Sequence, residues 1–186
     1  MAEVLVLCAA NVCRSPMAAA LLADRLRGRP AAATVRSAGS LTAGRPADPA
    51  AVRAMAARRL DISAHRSRVA GAGDVTGADL ILAMDRSCLR QAVVLAPVSW
   101  PRAFTLKELI RRGQAVGRPA PREPLCAWLQ RAQQGRARAE LLGGCPEDDV
   151  ADPAGGPQRA YDRTAALLSS LVAELVALCW PESPAS

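Results

Sequence analysis

Apolar residues fall into two kinds of pattern along this chain. Unbroken apolar runs suit strands covered on both faces of a parallel sheet. Met1 to Leu7 ends in Val4-Leu5-Val6-Leu7, and Asp79 to Met84 reads Asp-Leu-Ile-Leu-Ala-Met. Thr34-Val35-Arg36-Ser37 predicts a shorter strand ending in the turn Ala38-Gly39, and Trp100 to Thr105 a fourth strand or its loop. Between them apolar positions recur at helical spacing. Helices are expected over Met17 to Leu26, over Pro49 to Leu60 with Val52, Met55 and Ala56 on one face, over Ser87 to Val94, and for a turn or two from Leu106 to Arg112. Arg159 to Leu178 predicts a long amphipathic helix with Leu167, Leu168, Leu171, Leu175 and Leu178 along one face, closed by Pro181. Such alternation predicts an α/β sandwich around a parallel sheet.

One stretch departs from the pattern. Gly113 to Glu147 begins with a loop-like Gly- and Pro-rich segment, and one helix fits within Cys126 to Leu142 with Trp128 and Leu129 turned inward. The expectation is a single domain over residues 1–186 with an insertion at 113–147. A surface insertion is the plainer reading and a cap over the site the other.

The chemistry concentrates where the first strand meets the first helix. Cys8-Ala9-Ala10-Asn11-Val12-Cys13-Arg14-Ser15-Pro16 places a cysteine six residues before an arginine. Ser15 is expected to cap the helix and Pro16 to occupy its first position. Free N–H groups and the dipole at a helix head attract a tetrahedral oxyanion. With the Arg14 guanidinium they are also expected to lower the thiol pKa of Cys8 and hold a nucleophilic thiolate. Buried packing is the alternative for any cysteine after a core strand. Cys13 stays open between packing and a place near enough to Cys8 to trap it as a disulfide.

Composition narrows the partners. A chain of 186 residues buries a core without staples, and its six cysteines show no C-x-x-C pair. It opens on Met-Ala-Glu, so a reduced, cytoplasmic setting is expected. A single histidine excludes a His-rich metal site, and neither a metal nor another cofactor is expected. No run is long enough for a membrane span. The net charge of +7 fits anionic substrates; the arginines are scattered and aromatic residues make up 3%, so nucleic acid is not expected as a partner. Oligomeric state is left open.

With these motifs in hand, the chain resembles the low-molecular-weight protein tyrosine phosphatases. The resemblance rests on the Cys8 to Pro16 loop, Ser37-Ala38-Gly39-Ser40, Pro46-Ala47-Asp48-Pro49, Asp61 to Arg68, Leu82 to Ser87 and Val150-Ala151-Asp152-Pro153. It implies a three-layer sandwich, a four-stranded parallel sheet with helices on both faces. It also implies that Cys8 attacks phosphorus to form a phosphocysteine, while Arg14 and the backbone N–H groups from Ala9 to Arg14 hold the phosphate oxygens. The phosphate-binding loop is then Ala9, Ala10, Asn11, Val12, Cys13, Arg14 and Ser15. Asp152 is the implied general acid, preferred over Glu147, Asp148 and Asp149 because Pro153 follows it. Asn11, Ser15, Ser40 and His65 resemble the supporting network, His65 orienting the loop without transferring a proton.

The implied substrate is a phosphorylated protein, with phosphotyrosine first and a small metabolite or sugar phosphate as the alternative. The chain departs from the family at Ala10, where glycine is usual, and in lacking aromatic residues after Pro153 and after Ser40. Those losses imply a wider, less apolar pocket. Val12 stands where arginine-phosphate hydrolases of the family carry threonine, which favours an oxygen-linked phosphate. Two further readings remain: an arsenate reductase relaying through Cys88, and a phosphate-docking module without turnover.

Overall fold

The computed structural model describes residues 1–29, 33–120 and 122–180. Four strands form one parallel sheet: β1 (Ala2–Leu7), β2 (Ala33–Ala38), β3 (Leu80–Ala83) and β4 (Ala103–Thr105), in the spatial order β2-β1-β3-β4. The helices are α1 (Arg14–Leu26), α2 (Pro49–Ala56), α3 (Ala72–Thr76), α4 (Arg86–Leu95), α5 (Leu106–Val116), α6 (Leu125–Ala132) and α7 (Gln158–Cys179). Short 3₁₀ turns cover Pro97–Arg102, Arg138–Leu142 and Pro146–Asp148. No described helix is long and apolar enough to cross a membrane.

The period-two alternation of the strands divides the apolar residues between two cores. Val4, Val6, Leu80, Leu82 and Phe104 meet α1, α2, α5, α6 and α7 on one face. Leu5, Leu7, Ile81, Ala83 and Ala103 meet α3, α4 and Trp100 on the other. Because both faces are covered, the central strands needed no polar alternation, which is why they were visible as unbroken runs. The result is the expected three-layer α/β sandwich. The register aligns Leu7 with Ala38 and with Ala83, and Ala83 with Thr105. All four strands therefore end at the same edge, where α/β folds place ligands.

Several predicted elements differ in extent. The second helix stops at Ala56 rather than Leu60, since Arg59 adopts a left-handed φ of 61°. In α7 the buried face is Tyr161, Ala165, Leu168, Val172, Leu175, Val176 and Cys179, while Leu167 is exposed. The predicted leucine stripe holds at Leu168 and Leu175, with Leu171 and Leu178 partly buried against the same core; valine, alanine and tyrosine supply the rest of the face. Pro181 lies outside the described residues.

The segment 113–147 lies largely at the surface but is anchored in the molecule by a few buried residues. Trp128 is fully buried, donates from Nε1 to the Gly117 carbonyl (2.8 Å), and covers Gly113 so closely that a Cβ there would lie 2.8 Å from its ring. Arg136 is buried as well. Its guanidinium lies 3.8 Å from the Trp100 ring centroid and 4.0 Å from that of Phe104, and pairs with the buried Glu108 at 2.8 Å. Burial pushes its pKa down, the Glu108 charge only partly opposing this. Trp128→Ala is expected to destabilise the fold by about 3–5 kcal/mol, the usual loss for a core tryptophan. Urea unfolding checks this, and a loss below about 1 kcal/mol, the level of a surface change, would contradict the anchoring.

Candidate active site

Cys8 leaves β1 at its carboxyl end and the chain curls through Cys13 into α1. The carbonyls of this loop are turned outward and held. Ala9 O accepts from the N–H groups of Ser40 (2.8 Å) and Leu41 (3.2 Å), Val12 O from Asp48 (2.9 Å) and Cys13 O from Met17 (3.1 Å). Asn11 O lies 2.7 Å from His65 Nε2, which must donate because a carbonyl only accepts. Among the described residues, no backbone N–H from Ala9 to Arg14 donates to another protein group. A ring of unpaired N–H groups at a helix N-terminus is a nest for an anion.

Asn11 keeps this curl in shape. It is fully buried with a left-handed φ of 53°, which asparagine tolerates better than most residues. Its Nδ2 donates to Ser15 Oγ and Ser37 Oγ, both at 2.9 Å, and its Oδ1 accepts from Arg68 N at 2.9 Å. Ser15 Oγ also lies 3.0 Å from Cys8 Sγ. Ser15 is thus a partner of the thiol and not a helix cap; the cap position falls on Cys13, and Pro16 sits in the first turn, where its missing N–H does no harm. Ala10 has no left-handed φ, so its methyl group costs no backbone strain.

Ser40 belongs to this network through its backbone rather than its hydroxyl. It lies past the end of β2, exposed, and reaches the loop through its backbone N–H. The hydroxyl that bonds Asn11 comes from Ser37, still within β2. Gly39 between them is a true requirement: a Cβ there would lie 2.5 Å from Ala9 O and 2.9 Å from both Asn11 N and Cys8 O.

Arg14 reaches from α1 across the mouth of the loop. Its Nη1 donates to Asp85 Oδ2 (2.8 Å) and Val150 O (3.0 Å), and its Nη2 to Asp152 Oδ2 (2.7 Å). Nε is buried without a hydrogen-bond partner among the described residues. Burial alone would lower the Arg14 pKa, but the charges of Asp152, Cys8 and Asp85 outweigh it and raise it. For Asp85 burial is likewise outweighed, here by N–H and hydroxyl donors from Cys88 and Ser87 and by Arg14, so its carboxyl is held below the usual range. Sequence reasoning assigned no role to Asp85, though an Asp at a strand-to-helix junction is a cap signal. It also missed Asp48, which caps α2 through Ala50 N (2.8 Å) and accepts from Tyr161 OH (2.9 Å), tying α7 to the loop.

The other thiols differ in setting. Cys13 is buried, and burial with the nearby Asp48, Asp152 and Cys8 pushes its pKa up to about 12. Cys88, in the first turn of α4, is pushed up by burial and by Asp85. It lines, with Leu7, Cys8, Gly39, Val69 and Leu95, a cleft of about 380 Å³. Aliphatic groups dominate the lining of this cleft, which runs beside Cys8 along α4. A second cleft, about 300 Å³, is lined by Arg14, Asp85, Ser87, Val150 and Asp152. Among the described residues no group of three or more His, Cys, Asp or Glu side chains is arranged to hold a metal ion.

A family model described as low molecular weight phosphotyrosine protein phosphatase matches residues 3–121. The chain belongs to that family. It is 42% identical over 107 residues to a probable low molecular weight protein-tyrosine-phosphatase, EpsP, of Ralstonia nicotianae, a match covering 57% of this chain and 71% of that one. Among solved structures it is similar to the low molecular weight protein tyrosine phosphatase of T. tengcongensis, with 31% identity, a TM-score of 0.71 and coverage of 95% and 98%. It is also similar to a cysteine-to-serine mutant of the YwlE arginine phosphatase with a phosphorylated active site serine, at 27% identity, TM-score 0.65 and coverage of 93% and 92%. The chain is accordingly a hydrolase of the low molecular weight phosphatase family, with Cys8 and Arg14 in its phosphate-binding loop. Gly39→Ala is expected to shift this loop and lower phosphatase activity by about 10²-fold, the scale of a 1 Å misplacement. Assay against p-nitrophenyl phosphate checks it; near wild-type activity would mean that the close approach of Gly39 does not shape the loop.

Proposed function

We propose that the protein hydrolyses phosphomonoesters through a covalent phosphocysteine at Cys8, acting on phosphotyrosine in proteins. The observation that carries this reading is the ring of unpaired N–H groups from Ala9 to Arg14 around the Cys8 loop, completed by the partnerless Arg14 Nε. An arriving phosphate takes those donors and displaces the Asp152 carboxylate from Arg14 Nη2, and the released carboxylate, now beside the phosphate, takes up a proton from solvent. The Cys8 thiolate then attacks phosphorus in line, forming the S–P bond as the P–O bond to the leaving group breaks. Asp152 gives its proton to the leaving oxygen. In the second step Asp152 takes a proton from water, whose oxygen attacks phosphorus, and the S–P bond breaks to free inorganic phosphate and the thiolate. Ser15 Oγ, 3.0 Å from the sulfur, donates to the thiolate each time it is released.

The phosphorylated serine of the YwlE mutant supports the covalent step, since a hydroxyl in the nucleophile's place was phosphorylated there. The aliphatic cleft beside Cys8 suits an apolar aryl group, and Val12, buried and apolar, supports an oxygen-linked phosphate over the phosphoarginine that YwlE's description implies. Cys13, near enough for the Cys8 charge to bear on it, is the proposed thiol for capturing an oxidised Cys8 as a disulfide. The reduced setting this requires is the cytoplasm, and the whole chain works as one domain.

Cys8→Ser is expected to abolish turnover while leaving phosphate binding measurable by calorimetry, and steady hydrolysis by that variant would remove the phosphocysteine. Asp152→Ala is expected to lower kcat by about 10²–10⁴-fold on phenyl phosphate and by much less on p-nitrophenyl phosphate, whose leaving oxygen needs little protonation. Equal losses on the two substrates would show that Asp152 is not the acid.

A further inference from the structure

Asp152 itself is weakly held. Its side chain is 46% exposed, bonded to Arg14 and, through Oδ1, to Ala154 N (3.1 Å). If phosphate takes Arg14, something else must keep the carboxyl in place. Four residues upstream, Asp148 is 2% exposed, and both its oxygens are engaged. Arg111 Nη2, from α5, lies 2.9 Å from Oδ1 and from Oδ2. Arg86 Nη2, from the first residue of α4, lies 3.1 Å from Oδ2, and Cys145 Sγ donates to the same oxygen at 3.2 Å.

The chain from this cluster to the acid has little freedom. Asp149 Oδ1 accepts from Arg86 N (2.9 Å), Asp149 O from Lys107 Nζ (2.6 Å), and Val150 N donates to Met84 O (2.7 Å). Arg86 follows Asp85, the residue that fixes Arg14 Nη1. One helix terminus therefore references both the phosphate-binding arginine and the loop that carries the acid. A buried ion cluster is a poor source of stability compared with apolar packing, because desolvation offsets the attraction. Its use here is geometric.

We propose that the Arg86–Asp148–Arg111 cluster is the positioning device for the general acid, holding Asp152 against the leaving oxygen after phosphate has displaced it from Arg14. The proposal rests on the reading of Asp152 as the acid, and it makes Asp148 and Arg111 positioning residues that touch no substrate. The end of the 113–147 segment joins the cluster through Cys145, which donates to Asp148.

Arg111 is largely exposed, so Arg111→Gln leaves the core intact and is the primary variant. Expected is a loss of about tenfold in kcat on phenyl phosphate with KM unchanged, and a change within about twofold on p-nitrophenyl phosphate. Arg111→Lys, which keeps the charge and one donor, should recover most of the loss. In an Asp152→Ala background Arg111→Gln should cost nothing more, because the group it positions is gone. Asp148→Asn should repeat the pattern; if it fails to fold, the Arg111 pair decides alone. Equal losses on both substrates, or a further loss in the Asp152→Ala background, would overturn the proposal. The two claims separate cleanly: if Asp152→Ala shows no selective loss on phenyl phosphate, the acid assignment fails, whereas if it does and Arg111→Gln does not, only the positioning role fails.

Discussion

Everything at the carboxyl edge of the sheet is organised around one guanidinium. Arg14 is buried at the head of α1, and its Nη atoms bind Asp85 at the start of α4 together with Val150 O and Asp152 in the loop before α7. Three segments far apart in sequence meet on a single planar cation. A lysine could not replace it, since one ammonium cannot supply donors to these three acceptors in fixed directions and still leave a fourth aimed elsewhere. That fourth donor, Nε, is buried without a partner, a condition that costs stability unless a ligand answers it. The site is in this sense built around an anion.

The loop below solves a related problem. To present N–H groups inward, the chain must turn its carbonyls outward and satisfy them, and it does so with neighbours from every side. Ser40 and Leu41 bind Ala9 O, His65 binds Asn11 O and Asp48 binds Val12 O. Asp48 in turn is held by Tyr161, and Asn11 Oδ1 by the Arg68 N–H. These residues touch no substrate in the proposed reaction, yet the geometry of the donor ring is theirs. The same logic extends to the Asp148 cluster and the bonds at Asp149 and Val150, which hold the stretch of chain leading to Asp152.

How much of this was legible in the sequence varies with distance along the chain. The sandwich could be read because both faces of the central strands are covered, leaving apolar runs at Val4–Leu7 and Leu80–Met84. The loop was visible because strand, Cys8, Arg14 and helix head are consecutive, so local pattern and chemistry coincide. Ser37 and Ser40 could not be told apart, since which hydroxyl meets Asn11 depends on where β2 ends. Asp85, Asp48 and Asp148 were hidden for another reason: each works through a contact more than thirty residues away, and an acidic residue near a helix start looks the same whether it merely caps or also binds an arginine. The anchoring of the 113–147 segment was hidden because Trp128 and Arg136 are isolated in a stretch rich in glycine, proline and arginine. Burial of an arginine between two aromatic rings leaves no periodic signal.

The proposed reaction requires an oxyanion at Cys8, with Arg14 exchanging a carboxylate for it. The most direct measurement is a crystal structure of the wild-type protein with vanadate. The expected result is vanadium bonded to Cys8 Sγ, its oxygens on the N–H groups of Ala9 to Arg14 and on Arg14 Nε, and Asp152 released from Arg14 Nη2. Vanadate on any other side chain, or bound while the 2.7 Å Arg14–Asp152 contact persists, would contradict it.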